Sequence, residues 1–128
     1  KVSWRLGQRL LAPVSGAMGF GVPAAVAAAL RHPDRTIVCG LGDGGALMTG
    51  GELAVALERR LPIKLLLSEN GAYASIRIHQ ERAHPGRVSG TMFGNPDFAR
   101  WIESFGLPLL RVESRADVPA LQAAIRAP

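Results

Sequence analysis

The sequence predicts an α/β domain in three layers, a parallel sheet with helices on both faces. Two apolar runs of strand length, Thr36–Leu41 and Ile63–Leu67, alternate with longer helix-forming stretches, the order expected where strands are joined by crossover helices. Apart from Thr36 and Lys64 both runs carry no polar side chain, as in strands buried on both faces and hence parallel. A glycine-rich turn, Gly42-Asp43-Gly44-Gly45, closes the first run, and Asn70 follows the second.

The elements follow in order. Pro23 to Leu30 is alanine-rich and helix-forming, with Pro23 suited to a first turn and His32-Pro33-Asp34 to a stop. After the first strand and its turn, a helix is expected from about Thr49 to Arg60, and Leu61-Pro62 leads into the second strand. A loop and short helix run through His79, and a looser stretch, Glu81 to Thr91, leads to a helix that Asn95 or Pro96 begins and Gly106 ends. Leu109 to Val112 reads as a third strand and Asp117 to Ala127 as a closing helix.

Composition sets limits. A length of 128 residues, 48% apolar and 20% charged, suits one domain with a buried core. Every apolar stretch is broken well short of the roughly 20 residues of a membrane helix, and no secretory signal pattern opens the chain, so a cytoplasmic protein off the membrane is expected. Cys39 is the one cysteine, so no internal disulfide or cysteine-based zinc framework can form. Its place inside an apolar strand makes it a small core residue. The net charge of +5 does not imply nucleic acid, because thirteen of the fifteen basic residues are arginines scattered from Arg5 to Arg126 without a clustered patch.

Asp43 and Asn70, 27 residues apart, both fall just past a strand's carboxyl end, where open parallel sheets gather ligands. One carboxylate and one amide oxygen suit Mg²⁺, which takes few side chains from the protein and leaves its other positions to carbonyls, water and phosphate. Glycines beside Asp43 let backbone N–H groups approach an anion. A diphosphate bridged by Mg²⁺ is the ligand these residue types would hold. The plain alternative is a surface turn with a solvated aspartate.

Gly16-Ala17-Met18-Gly19-Phe20-Gly21-Val22-Pro23-Ala24-Ala25, the Gly-Asp-Gly turn, Glu52-Leu53-Ala54 and Asn70 with Gly71 and Tyr73 together resemble the diphosphate-binding domain of thiamine-diphosphate enzymes. Within that superfamily the chain is most similar to the acetolactate synthase and 2-oxo-acid decarboxylase group, to which Asn95-Pro96-Asp97-Phe98 adds. The resemblance implies that Asp43, the Asn70 side chain and the Ala72 carbonyl hold the metal. It places Gly42, Gly44, Gly45, Tyr73, Ala74 and Ser75 around the diphosphate, with Ala74 standing where a glycine is common. The Gly16-Ala17-Met18 turn would bind the aminopyrimidine, with Met18 bending the cofactor; a core methionine is the other reading of Met18.

The resemblance further implies decarboxylation of a 2-oxo acid, with possible ligation of the product to a second carbonyl. No catalytic residue is assigned to this chain, because in the family the activating glutamate lies on a pyrimidine-binding domain, of the same or a neighbouring subunit, that nothing here matches. A homo-oligomer is expected. The whole of residues 1–128 reads as a single cofactor-binding domain, a trimmed piece of a longer enzyme lacking the family's first strand and helix.

Glu69-Asn70 stands where the family usually has two asparagines. A second carboxylate pointing inward would repel the diphosphate or bind metal itself, which keeps open a non-catalytic binding or assembly module with a degenerate site. A small NAD- or ATP-binding regulator is the reading of Gly19-Phe20-Gly21, but no third glycine or clear preceding strand supports it. His79, Arg82, His84 and Arg87 are candidates for a lid or a solvated loop.

Overall fold

The computed structural model describes residues 7–127. Lys1 and Arg5 lie outside them. Element order is α1 (Gly21–Arg31), β1 (Ile37–Gly42), α2 (Asp43–Thr49), a 3₁₀ turn (Gly50–Glu52), α3 (Leu53–Glu58), β2 (Ile63–Ser68), α4 (Ala74–Ala83), α5 (Phe98–Ser104), a second 3₁₀ turn (Arg115–Asp117) and α6 (Val118–Arg126).

β1 and β2 pair in parallel, from Ile37 opposite Ile63 to Gly42 opposite Ser68. The crossover between them is the α2–α3 stretch. Both carboxyl ends therefore finish level, and the residues that follow each strand meet at one edge of the sheet.

The α/β class with parallel strands is as the apolar runs predict, but three details differ. β1 alternates: Cys39 is buried, whereas Val38 is 49% exposed and Gly40 and Gly42 face outward, so only one face of this strand is covered by the described residues. The expected third strand, Leu109 to Val112, is irregular and exposed. An apolar run becomes a strand only against a hydrogen-bonding neighbour, and among the described residues the sheet has two strands. The helix expected from Thr49 begins instead at Asp43, directly off β1, and is interrupted by the Gly50–Glu52 turn before α3; Gly50-Gly51 is where propensity favours a break.

Alanines explain the closeness of α1 to the sheet. It buries Val22, Ala25, Val26, Ala28 and Ala29, small side chains that let the backbone ride near β1. Val22, Leu53 and Ile102 form the buried centre, with Leu41, Leu65, Trp101, Phe105 and Leu107 packed against it. The core thus ties α1, α3, α5 and both strands together. Asp97 starts α5 by accepting from the N–H groups of Ala99 (3.0 Å) and Arg100 (3.3 Å), satisfying donors that have no partner inside the helix. Ser114 and Asp117 close a capping box ahead of α6.

The accessible surface is 9467 Å², well above the roughly 6,500 Å² of a typical folded monomer of this mass. Val38, Leu47, Met48, Ile76, Ile78, Leu109 and Leu110 are among the apolar residues left in water.

Candidate functional site

The sheet's carboxyl edge is organised around one carboxylate. Asp43 opens α2 immediately after β1 and is only 1% exposed. Its Oδ1 accepts from the Gly44 N–H at 2.8 Å. Its Oδ2 accepts from the backbone N–H groups of Asn70 (2.8 Å) and Gly71 (2.6 Å), just past β2, and from Asn95 Nδ2 (2.8 Å). A buried charge is tolerated only when hydrogen-bonded, and this one has four donors.

Burial alone would raise the Asp43 carboxyl. The bonds from Asn95, Asn70, Gly71 and Gly44 outweigh it and hold the group below its ordinary value of 3.8. A carboxyl depressed in the folded state stabilises the fold above its unfolded pKa, and that contribution is lost as pH falls through the folded value. Melting temperature should therefore be flat in this group through neutral pH and fall in acid below about pH 4; Asp43→Asn should lessen the acid fall. An unchanged acid limb in that variant would contradict the role given to these bonds.

The turn after β2 owes its shape to two residues. Asn70 folds its Oδ1 back to accept the Ala72 N–H at 3.0 Å, a local Asx turn. Gly71 takes φ +66°, a conformation that L side chains rarely adopt, and this aims its N–H at Asp43. The strand-like step Gly71–Tyr73 is pinned across to residues 91–93 by the Tyr73 N–H to Thr91 O bond (2.9 Å) and the Phe93 N–H to Gly71 O bond (3.1 Å). The Tyr73 and Phe93 rings touch at a tilt of 46°, with centroids 4.7 Å apart.

The glycine-rich segment before α1 reaches the same edge. Thr49 Oγ1 donates to Gly19 O at 2.7 Å, and the Gly19 nitrogen lies 3.8 Å from where a Cβ on Gly45 would stand. Met18 is 38% exposed, with its Cε near Gly44, so it is not a core methionine here. A Cβ on Gly44 would run into the Tyr73 ring; only glycine lets Tyr73 lie across the start of α2.

Of the residues singled out from sequence, Asp43, Gly44, Gly45, Asn70, Ala72, Tyr73 and Met18 therefore gather at this edge. Gly16, Ala17 and Ser75 are exposed, Gly42 is the residue before α2, and Ala74 is the first residue of α4. His79, Arg82, His84 and Arg87 are exposed on and after α4, which extends to Ala83, beyond the expected end. Cys39 is buried under α1, and burial pushes its thiol up, as befits a core residue.

Asn95 was not read from sequence as part of the site. It lies 52 residues from Asp43, and the Asn-Pro-Asp-Phe stretch carried only a helix start and a family likeness. No spacing rule connects it to the glycine-rich turn.

Comparison with known proteins gives the arrangement a family. Residues 3–128 match the model of the thiamine pyrophosphate enzyme, C-terminal TPP binding domain. The chain belongs to this family. The family's TPP-binding domain is therefore the unit whose sheet edge is described above.

Relatives carry the same message. The chain is 38% identical over 117 residues to the acetolactate synthase isozyme 1 large subunit of Escherichia coli (strain K12), covering 88% of this chain and 20% of that protein. It is 35% identical over 113 residues to the chloroplastic acetolactate synthase 2 of Nicotiana tabacum, covering 82% and 17%. Among solved structures, the thiamine diphosphate-dependent 4-hydroxybenzoylformate decarboxylase of Rhodococcus jostii RHA1 superposes with a TM-score of 0.80 at 32% identity, over 90% of this chain and 22% of that one. The chain thus spans about a fifth of these relatives' length.

The donor set fits the family's cofactor. Asp43 and the Asn70–Ala72 turn that it holds offer a carboxylate, an amide oxygen and a backbone carbonyl, the hard oxygen donors that a magnesium-bridged diphosphate asks for. Oδ1 of Asp43 takes a single hydrogen bond, so it retains a lone pair for a cation. Among the described residues no group of three or more His, Cys, Asp or Glu could hold a metal, so a cation here would lean on amide, carbonyl and phosphate oxygens. No helix among the described residues is long and apolar enough to cross a membrane.

Proposed function

We propose that this TPP-binding domain holds the diphosphate of thiamine diphosphate through Mg²⁺, as part of an acetolactate synthase-like enzyme that decarboxylates a 2-oxo acid and ligates the product to a second carbonyl. The single observation that carries the reading is the meeting of Asp43 with the Asn70–Gly71 turn at the level carboxyl ends of two parallel strands. In this reading Asp43, Asn70 Oδ1 and the Ala72 carbonyl hold the cation, while backbone near Gly44, Gly45 and Ser75 faces the phosphate oxygens. Gly16 to Met18 flank the rest of the cofactor, with Met18 as the side chain that bends it. When bound, thiamine diphosphate supplies an electron sink for the carbanion left by decarboxylation; the chain's own residues bind and orient it.

The pyrimidine-binding domain, on the same or a neighbouring subunit, is the partner this reading requires, in a homo-oligomer. Supporting it are the large accessible surface and the apolar residues left in water around the site, Met18 and Met92 among them.

The test is thermal. A ligand that binds only the folded state at 100 times its Kd stabilises by about 2.7 kcal/mol, several degrees for a domain of this size. Thiamine diphosphate with Mg²⁺ should raise the melting temperature by that much, and either alone by far less. Equal shifts with NAD or ATP and none with thiamine diphosphate would overturn the reading.

A second reading, a binding module with a degenerate site, is favoured by one observation: Glu69 shares the Asn95 amide with Asp43, so a second carboxylate does stand close by. Consumption of a 2-oxo acid by the protein expressed from its full reading frame would remove it.

A further inference from the structure

Asn95 sits between two carboxylates. Its Nδ2 donates to Asp43 Oδ2 at 2.8 Å and to Glu69 Oε1 at 3.3 Å, so each of its two amide protons serves one acid. The two carboxylates fix which way the amide faces, because turning it over would set its oxygen against two acceptors. The arrangement comes at the expense of the other end: Asn95 Oδ1 is buried and receives no hydrogen bond among the described residues. An orphaned buried oxygen costs free energy, so the two carboxylate contacts decide how this side chain sits.

The backbone around Asn95 is fixed from both sides. Pro96 confines the residue before it to extended backbone. Asp97 then caps α5, whose Ile102 and Trp101 pack in and against the buried core with Val22 and Leu53. Asn95 therefore stands just ahead of a helix anchored in the core and reaches Asp43 from a segment that belongs to neither strand end.

We propose that Asn95 is the positioning residue of the diphosphate site. It locks Asp43 Oδ2, leaves Oδ1 as the oxygen turned to the cation, and ties the Glu69 carboxylate by the same group. Glu69 is thereby accommodated beside an anionic ligand. This inference rests on the function proposed above. Residues that orient metal ligands in this way change metal affinity by about 10–100-fold when removed.

The experiment is an isothermal titration of MgCl₂ into the protein with thiamine diphosphate in excess, for the wild type, Asn95→Ala, Asn95→Asp, Glu69→Gln and the Asn95→Ala/Glu69→Gln double variant. Asn95→Ala should weaken Mg²⁺ by about 10-fold or more. Asn95→Asp, which keeps the shape but adds a third acid, should weaken it further. Glu69→Gln should bind at least as well as the wild type and should recover, in the double variant, the part of the loss that a released Glu69 causes, a non-additivity of roughly fivefold, while the part owed to an unlocked Asp43 remains. A merely structural asparagine would lower the melting temperature of both Asn95 variants without this recovery. Wild-type binding with unchanged affinity in Asn95→Ala, or strictly additive effects, overturns this inference alone; a wild type that takes up no Mg²⁺ with thiamine diphosphate overturns the proposed function and this inference with it.

Discussion

Asp43→Ala will lower the melting temperature without any ligand and abolish the response to thiamine diphosphate with Mg²⁺. The first effect follows from geometry. Alanine leaves the N–H groups of Gly44, Asn70 and Gly71 and the Asn95 amide without their acceptor. Each unsatisfied buried donor costs about 1–3 kcal/mol, but the turn after β2 can relax toward water, so the total should be about 3 kcal/mol, or roughly 10 °C in a domain of this size. Asp43→Asn separates the effects: it keeps one acceptor and the volume, so it should lose less stability while still losing the cation. Scanning fluorimetry of both variants, with and without ligands, is the check. A normal ligand shift in Asp43→Ala would remove Asp43 from the cofactor site.

Leu53→Ala is expected to cost as much through a different mechanism. Leu53 is 2% exposed at the start of α3, packed with Val22 and Ile102 and flanked by Leu41, Leu65 and Trp101. Truncating a buried leucine costs about 2–5 kcal/mol, the lost transfer term plus the cavity left behind. The upper part of that range applies where surroundings cannot collapse, and here α1, α3, α5 and both strands all meet. An open cleft lined by Leu57, Ile63 and Leu107 also borders Leu53, which should let some neighbours move and hold the loss near 3 kcal/mol. Urea denaturation should show a lower midpoint with an unchanged slope. A loss under about 1 kcal/mol would mean that these residues do not form the stabilising centre.

Sequence reasoning reached the parts of this fold whose causes are local. The alanine-rich α1 and the two strands fell within two residues of their expected bounds, because composition and flanking His32-Pro33-Asp34 or Leu61-Pro62 act over a few residues. That Asp43 and Asn70 converge was also legible, since parallel strands finishing level bring their following residues together. How they converge was not. Asn70 meets Asp43 through its backbone N–H and turns its side chain to Ala72, a choice set by the conformation at Gly71. The failure at Leu109 to Val112 has the opposite cause: apolar strand character was present locally, but pairing needs a neighbour that local sequence does not disclose. Asn95 was missed for the same reason, its position being decided by how α5 docks on the core. Alternation along β1 was hidden because its exposed positions are Val38 and two glycines, residues that carry no polar signal.

Cys39 gives this chain a built-in clock. Its sulfur lies under the first turn of α1, 3.3 Å from where a Cβ on Gly21 would stand, and no second thiol competes with it. Cys39 is 7% exposed, so a thiol reagent gains free access when α1 lifts from the sheet, and under conditions where labelling outpaces reclosing its half-life measures that opening. Because α1 follows directly from the segment that Thr49 ties to the site, occupancy of the cofactor edge becomes readable as slower labelling of this one native thiol, with no probe engineered into the protein.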